Sequence, residues 1–319
     1  MAAIRISLFG KFRVCCDGHI LTDFDAGKVQ ELFSYLLLYR DRAHARETLA
    51  GLFWGACAEA QAKKYLRQAV WQIQTALETP SDRRLLYAEV DWVRINPDAD
   101  LWLDVTVFEQ AHHATRGVRG ADLTPSLAQA LHDAVDLYQS DLLEGCYDDW
   151  CLFERERLQA IYLLALDKLT SYCEAQHAYE AGLEYGMRIL RYDRARERTH
   201  RRIMRLYYLA GDRTAALRQY ERCVQALTEE LGVEPAERTV ALYRRIRAAR
   251  PSPGPDLPIL EAAGADEPSL PQVVRSLKQM RGAVATLQRE LQRQIQTLEQ
   301  ATTGPRPALR PPDSLGGDR

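Results

Sequence analysis

The order of apolar and polar positions divides the chain into a short-period opening, a long helical middle and a heptad-like end. Ile4, Ile6 and Leu8 alternate with polar residues, as a half-buried strand requires, and residues 12–15 give a second strand. Asp17-Gly18 is a hairpin turn, since glycine accepts φ > 0, and residues 19–21 return. The period then lengthens. Val29, Leu32, Phe33, Leu36 and Leu37 share one face of a helix predicted over residues 26–40, with Asp25 as its cap. A second helix starts near Ala45, turns Leu49, Leu52 and Phe53 inward, and stops at Gly55. Residues 61–78 form the third, where Leu66, Val70, Ile73 and Leu77 make one apolar stripe. Lys64, Gln68, Trp71 and Thr75 fall opposite it, with Arg67 and Gln72 on its flanks. Thr79-Pro80-Ser81-Asp82 is a stop; alternation resumes over residues 85–90 and 92–96 around Asp91, and residues 101–105 give a last short strand.

Strands, three helices and a hairpin are the order of a winged helix-turn-helix with an extra N-terminal sheet, here residues 1–104. The second and third helices form the turn motif and the hairpin is the wing. Basic residues gather where that geometry meets DNA: Lys63, Lys64 and Arg67 early in the third helix, Arg83, Arg84 and Arg94 in the wing, Arg42 and Arg46 beside the second helix. Each phosphate they neutralise releases counterions. Lysine and arginine reach guanine as well as phosphate, and Gln68 and Gln72 are suited to adenine. A solvated surface helix has the same pattern.

Residues 105–250 read as all-α, with helices near 107–116, 126–137, 154–175, 178–190, 196–210, 214–230 and 236–248. Gly182 and Ala216 are 34 residues apart, as are Gly186 and Tyr220, Ile189 and Cys223, and Leu169 and Ile203. That is the tetratricopeptide period, whose stacked helix pairs form concave surfaces, although a plain helical bundle with a coincidental echo fits too. Residues 139–150 read as a loop plugged between helices by Tyr147 and Trp150. Prolines mark residues 251–269 as a linker. Over residues 270–300, Leu277, Met280, Val284, Leu287, Leu291 and Leu298 hold a coiled-coil seam with Gln294 as a polar core position, which predicts a homo-oligomer. Residues 301–319 are expected to be disordered.

Composition changes this picture in three places. At 319 residues the chain has room for about two domains plus appendages. A net charge of −2 offers no whole-chain attraction to nucleic acid, so any such case rests on a local patch. The seven cysteines form no Cys-x-x-Cys and no zinc-finger spacing, and read as buried, reduced thiols; His19 reads as a surface residue. There is no nucleophile–base pair, glycine-rich phosphate loop or His-Glu-x-x-His, and Asp148-Asp149 has no ligand companion nearby in sequence. Neither enzyme activity, nor a metal, nor a cofactor is therefore expected. With no secretory signal and no membrane-spanning run, a cytoplasmic protein is expected.

Four stretches resemble one family of bacterial regulators: L-F-G-K-F-R-V from Leu8, K-Y-L-R-Q-A-V-W-Q-I-Q from Lys64, W-L-D-V-T-V-F-E from Trp102 and D-L-L-E-G-C-Y-D-D-W-C-L-F-E-R-E-R-L from Asp141. L-G-V-E-P-A-E-R-T-V-A-L-Y from Leu231 adds a fifth. In that order they resemble the Streptomyces antibiotic regulatory protein type of transcriptional activator. The resemblance implies an OmpR-type winged helix, a bacterial transcriptional activation domain, binding to direct repeats in double-stranded DNA, and help in recruiting RNA polymerase. It further implies that Lys64, Arg67, Gln68, Trp71 and Gln72 face DNA, and that Gly55, Ala56, Cys57, Ala58 and Glu59 lie near polymerase. Many relatives carry arginines late in the third helix where this chain has Gln72, Gln74 and Thr75, which loosens the phosphate grip. The nucleotide-binding module of longer relatives is missing from this sequence, so ATP-driven control is not expected. The same residues also fit a tetratricopeptide-type scaffold for a protein or small ligand, with a vestigial winged domain.

Overall fold

The computed structural model describes residues 4–16, 18–21, 27–77 and 85–249. Asp25, Arg83, Arg84, the linker and the heptad positions Leu277, Met280, Val284, Leu287, Leu291 and Leu298 lie outside the described residues.

The described chain is mainly helical, with small sheets at its N-terminal end. Strands β1 (Ile4–Ser7), β2 (Arg13–Cys16) and β3 (His19–Leu21) form an antiparallel meander. Helices α1 (Gly27–Leu38), α2 (Arg46–Trp54) and α3 (Glu59–Ala76) follow, then the hairpin β5 (Leu86–Ala88) and β6 (Trp92–Ile95). Strand β7 (Leu101–Leu103) returns to pair parallel with β1, Ile4 opposite Leu101, so the first sheet has the order β3-β2-β1-β7. A two-residue strand, β4 (His44–Ala45), escapes the sequence reading because two residues carry no period; it pairs with β6 through His44 and Val93. Ile6, Leu8, Phe33, Leu36, Leu49, Leu66 and Ile73 are fully buried and draw β1, α1, α2 and α3 onto one core. At about 25 cal/mol per Å² of apolar area, each such side chain contributes roughly 1.5–3 kcal/mol. Two details differ from expectation. Leu52 is 43% exposed, because Leu49, Ala50 and Phe53 set the inward arc of α2. Gly55 closes α2 in the right-handed region, φ −60°, rather than as a left-handed cap.

The second half is all helix: α4 (Asp104–Ala114), α5 (Pro125–Leu137), α6 (Asp149–Ala175), α7 (Tyr179–Tyr192), α8 (Glu197–Leu209), α9 (Arg213–Leu231) and α10 (Glu237–Ala248). Consecutive helices from α6 to α9 pack on one another. The 34-residue echo falls on their contacts: Gly182, Ala216, Ile189, Cys223, Leu169 and Ile203 are all buried. A Cβ on Gly186 would stand 2.8 Å from Ile203 Cγ1, so glycine there lets α7 approach α8. Helix α6 starts five residues earlier than its apolar period suggests, because Asp148 is already extended and serves as the N-cap. Trp150 therefore lies in α6 and packs on Tyr35 at 5.4 Å. Tyr147 is 77% exposed and plugs nothing, contrary to expectation. The cysteines are free thiols, but Cys57 is exposed and Cys15 and Cys16 only half-buried, since Cys57 sits in a loop and the other two on a strand of the four-stranded N-terminal sheet. No helix among the described residues is long and apolar enough to cross a membrane.

Candidate nucleic-acid interface

Helix α3 is built as two faces. Ala62, Leu66, Ala69, Val70 and Ile73 are buried against α1 and α2, and Leu77 closes the stripe. Lys64, Arg67, Gln68, Trp71 and Thr75 are exposed on the other side, Trp71 by 62%. No ion-pair partner for Lys64 or Arg67 exists among the described residues. Two positions lie off the outward face. Gln72 is only half-buried rather than open, and Gln74 donates from Nε2 to the Leu86 carbonyl at 3.4 Å, tying α3 to β5. Lys63 is not a free cation either: its Nζ lies 2.7 Å from Glu59 and 3.0 Å from Glu47. Hydrogen bonds to those carboxylates raise the Lys63 pKa, and the Lys63 hydrogen bond lowers that of Glu59. Glu59 belongs to the first turn of α3, so the exposed loop between α2 and α3 is Gly55, Ala56, Cys57 and Ala58 alone.

The hairpin stands beside α2. Arg46 donates from its backbone to the Asp91 carbonyl at 2.9 Å and from Nε to the Glu89 carbonyl at 2.7 Å, so its side chain clamps the turn instead of standing free. Arg42 is exposed with its guanidinium 5.2 Å from the Tyr39 ring. Arg94 is half-buried opposite Tyr87, with a buried Nε that has no hydrogen-bond partner. The turn itself is Glu89, Val90 and Asp91, all exposed, Val90 by 87%. The tip itself is thus acidic and apolar, while Arg83 and Arg84 of the expected basic wing lie outside the described residues. The signal lay in plain sequence between the two strands.

A second cluster gathers at the start of α6. Glu31, Cys146 and Asp148 bring their ligand atoms within 4.8 Å of one another, so Asp148 does have companions, contrary to expectation: Cys146 two residues before it, and Glu31 from α1, which sequence spacing hides. Lys28 Nζ lies 2.6 Å from Glu31 and 2.9 Å from Asp148, so an ammonium already supplies the counter-charge a cation would bring. This pairing joins α1 to the N-terminus of α6. Close by, Tyr39 donates to Glu154 Oε1 at 2.7 Å, and Arg157 holds Glu154 Oε2 at 2.7 Å and Glu109. On the other side Asp104 Oδ2 accepts from the Leu8 and Phe9 amides at 2.8 and 3.0 Å. The α3 face is thus mounted on a frame whose other half is the helical domain.

Residues 103–247 match the family model described as bacterial transcriptional activator domain. The chain is 26% identical over 257 residues to the regulatory protein AfsR of Streptomyces coelicolor, covering 78% of this chain and 25% of that protein. The chain thus contains a bacterial transcriptional activator domain and is similar to regulators of the Streptomyces antibiotic regulatory protein type. It spans about a quarter of the length of that curated relative. Its fold is similar to that of Mycobacterium tuberculosis EmbR, solved in complex with a low affinity phosphopeptide, with a TM-score of 0.61, 19% identity, and coverage of 77% of this chain and 65% of that one. The type is one of transcriptional regulators, not an enzyme class. The motifs that carry the type resemblance are largely the frame just described: Asp104 in the second-half opening, and Trp150, Glu154 and Arg155 after Asp141. Arg155 donates to the carbonyls of Leu142, Leu143 and Cys146, which fixes the turn leading into α6.

Proposed function

We propose that this chain is a cytoplasmic transcriptional activator that binds promoter DNA through a winged helix-turn-helix and presents its tetratricopeptide-like half to the transcription machinery. The observation that carries the reading is the exposed face of α3, where Lys64 and Arg67, without an ion-pair partner among the described residues, stand beside Gln68, Trp71 and Thr75. A helix of this kind enters the major groove, where its early residues reach base edges. Lys64 and Arg67 then reach guanine edges and the flanking phosphates, Gln68 reads a base, Arg42 adds a phosphate contact, and Lys63 mainly orders the helix start. The loop from Gly55 to Ala58 faces RNA polymerase, and two copies joined through the heptad segment occupy direct repeats by effective concentration.

The test is fluorescence anisotropy of the full chain on a promoter fragment over a salt series, against Lys64→Ala combined with Arg67→Ala. Each lost bidentate contact is worth about 1–3 kcal/mol, so affinity should fall about ten-fold or more. The slope of log affinity on log salt should shrink by about two. Equal affinity and equal slope in the double variant would overturn the assignment of α3. The acidic hairpin tip favours a second reading, a scaffold for another protein. That reading predicts no salt-dependent retention of the full chain on DNA at low ionic strength.

A further inference from the structure

An open cavity of about 450 Å³ lies where α5, α6 and α7 meet, remote in sequence from α3. One wall is aromatic. Tyr138 and Tyr162 stack at 4.2 Å with 17° between their planes, and Tyr192 stands at 70° to Tyr162 at 5.6 Å. The polar wall is pre-set. Arg188 donates from Nε to Tyr162 Oη at 3.0 Å, from Nη2 to the Val135 carbonyl at 3.2 Å, and from Nη1 to Asp136 at 3.3 Å. Its guanidinium is therefore held in place before any ligand arrives. Arg191 also lines the cavity, is exposed, and has no ion-pair partner among the described residues. Among the lining residues two guanidinium groups face one carboxylate, Asp136; a second, Asp141, lies behind the aromatic wall and accepts from Tyr138 Oη at 2.8 Å. A neighbouring concavity shares Arg188, Arg191 and Asp136 but adds Glu180 and Glu184, which turns an anion away from that side.

We propose that this cavity binds a small planar aromatic carboxylate, its ring against the exposed Tyr192 and its carboxylate on Arg191. The volume lies within the roughly 300–1,000 Å³ of small-molecule sites, which join an apolar wall to a few placed polar groups. An arginine fork matches a carboxylate, and stacked or edge-on rings hold a flat body. The Tyr138 ring that backs the cavity also touches Phe9 at 4.7 Å, so an occupant presses on a ring shared with the N-terminal half.

The experiment is calorimetric titration of the full chain with 2-naphthoate, with its uncharged amide as control, and repetition in Arg191→Gln and Tyr192→Leu. Both substitutions sit at exposed positions, and unchanged circular dichroism confirms the fold. Saturable 1:1 binding of the carboxylate, at least five-fold weaker for the amide and for each variant, supports the site. Absence of saturable binding overturns it. Equal binding of acid and amide, or equal binding in Arg191→Gln, overturns it too, because the carboxylate–arginine contact is then not made.

Discussion

Asp104 is 2% exposed, yet its carboxylate accepts three backbone amides: Leu8 at 2.8 Å, Phe9 at 3.0 Å and Val105 at 2.7 Å. Burial dominates its titration. Despite those hydrogen bonds, the Asp104 pKa is pushed up from 3.8 to about 6. A raised folded-state pKa means that protonation favours the fold. The contribution is fully present below the unfolded pKa near 3.8 and is lost as pH rises through about 6. A shift of about two units corresponds to about 3 kcal/mol, of which linkage makes about 2 kcal/mol available at pH 4.5 and almost none at pH 7. Asp104→Asn keeps the shape and a carbonyl acceptor but cannot titrate. Urea unfolding of both proteins from pH 7.5 to 4.5 isolates the group, because other carboxylates contribute equally to each. The native chain should gain about 2 kcal/mol relative to Asp104→Asn over that interval, by the same linkage. Parallel stability curves would refute the reasoning. Asp104→Ala is the harsher control: three buried amides lose their acceptor, at about 1–3 kcal/mol each, so a loss of about 3 kcal/mol or more is expected at every pH.

Other outcomes follow from the contacts around the frame and the helix. Tyr39→Phe removes the hydroxyl that reaches buried Glu154, and should cost about 2 kcal/mol in chemical denaturation, since hydrogen bonds to charged groups are worth about 1.5–3 kcal/mol. In Gly120→Ala a Cβ would meet the Lys168 carbonyl oxygen at 2.4 Å, so overpacking of about 3 kcal/mol should appear as a lowered melting temperature. Lys63→Ala should change DNA affinity by less than about two-fold while Lys64→Ala weakens it about five-fold or more, because Lys63 is already paired with Glu59 and Glu47. Similar losses in the two variants would mean that Lys63 leaves its carboxylates for DNA.

The elements were legible wherever an apolar period ran long enough to declare itself. Leu66, Val70 and Ile73 announce α3 and its buried side, and Ile4 and Ile6 announce β1. Boundaries set by single backbone states were not, such as Asp148 opening α6 or the brevity of β4. At the candidate interface, face was readable and partnership was not. Lys63 and Lys64 are adjacent and alike in sequence; only the packing of α2 beside α3 puts Glu47 within reach of one of them. Arg46 looked like a phosphate contact for the same reason, until β4 and β6 brought the hairpin turn to its guanidinium. The cluster of Glu31 and Lys28 with Asp148 spans more than a hundred residues of chain, beyond the reach of any local pattern.

The parallel pairing of β1 with β7 has a consequence for how the protein is made. Ile4 emerges first during synthesis, but its partner Leu101 follows 97 residues later (101 − 4). Until then the outer edge of β1 is an unpaired template, and closing so long a loop must be offset by contacts formed at the moment of docking. The Leu8 and Gly10 carbonyls wait longer still, for the amides of Leu143 and Glu144. A ribosome that has not yet released β7 therefore carries a sheet that cannot yet close. The half that carries α3 reaches its finished state only as the helical half begins to assemble. A nascent chain stalled between those points would be the species most exposed to edge-to-edge aggregation and to proteolysis.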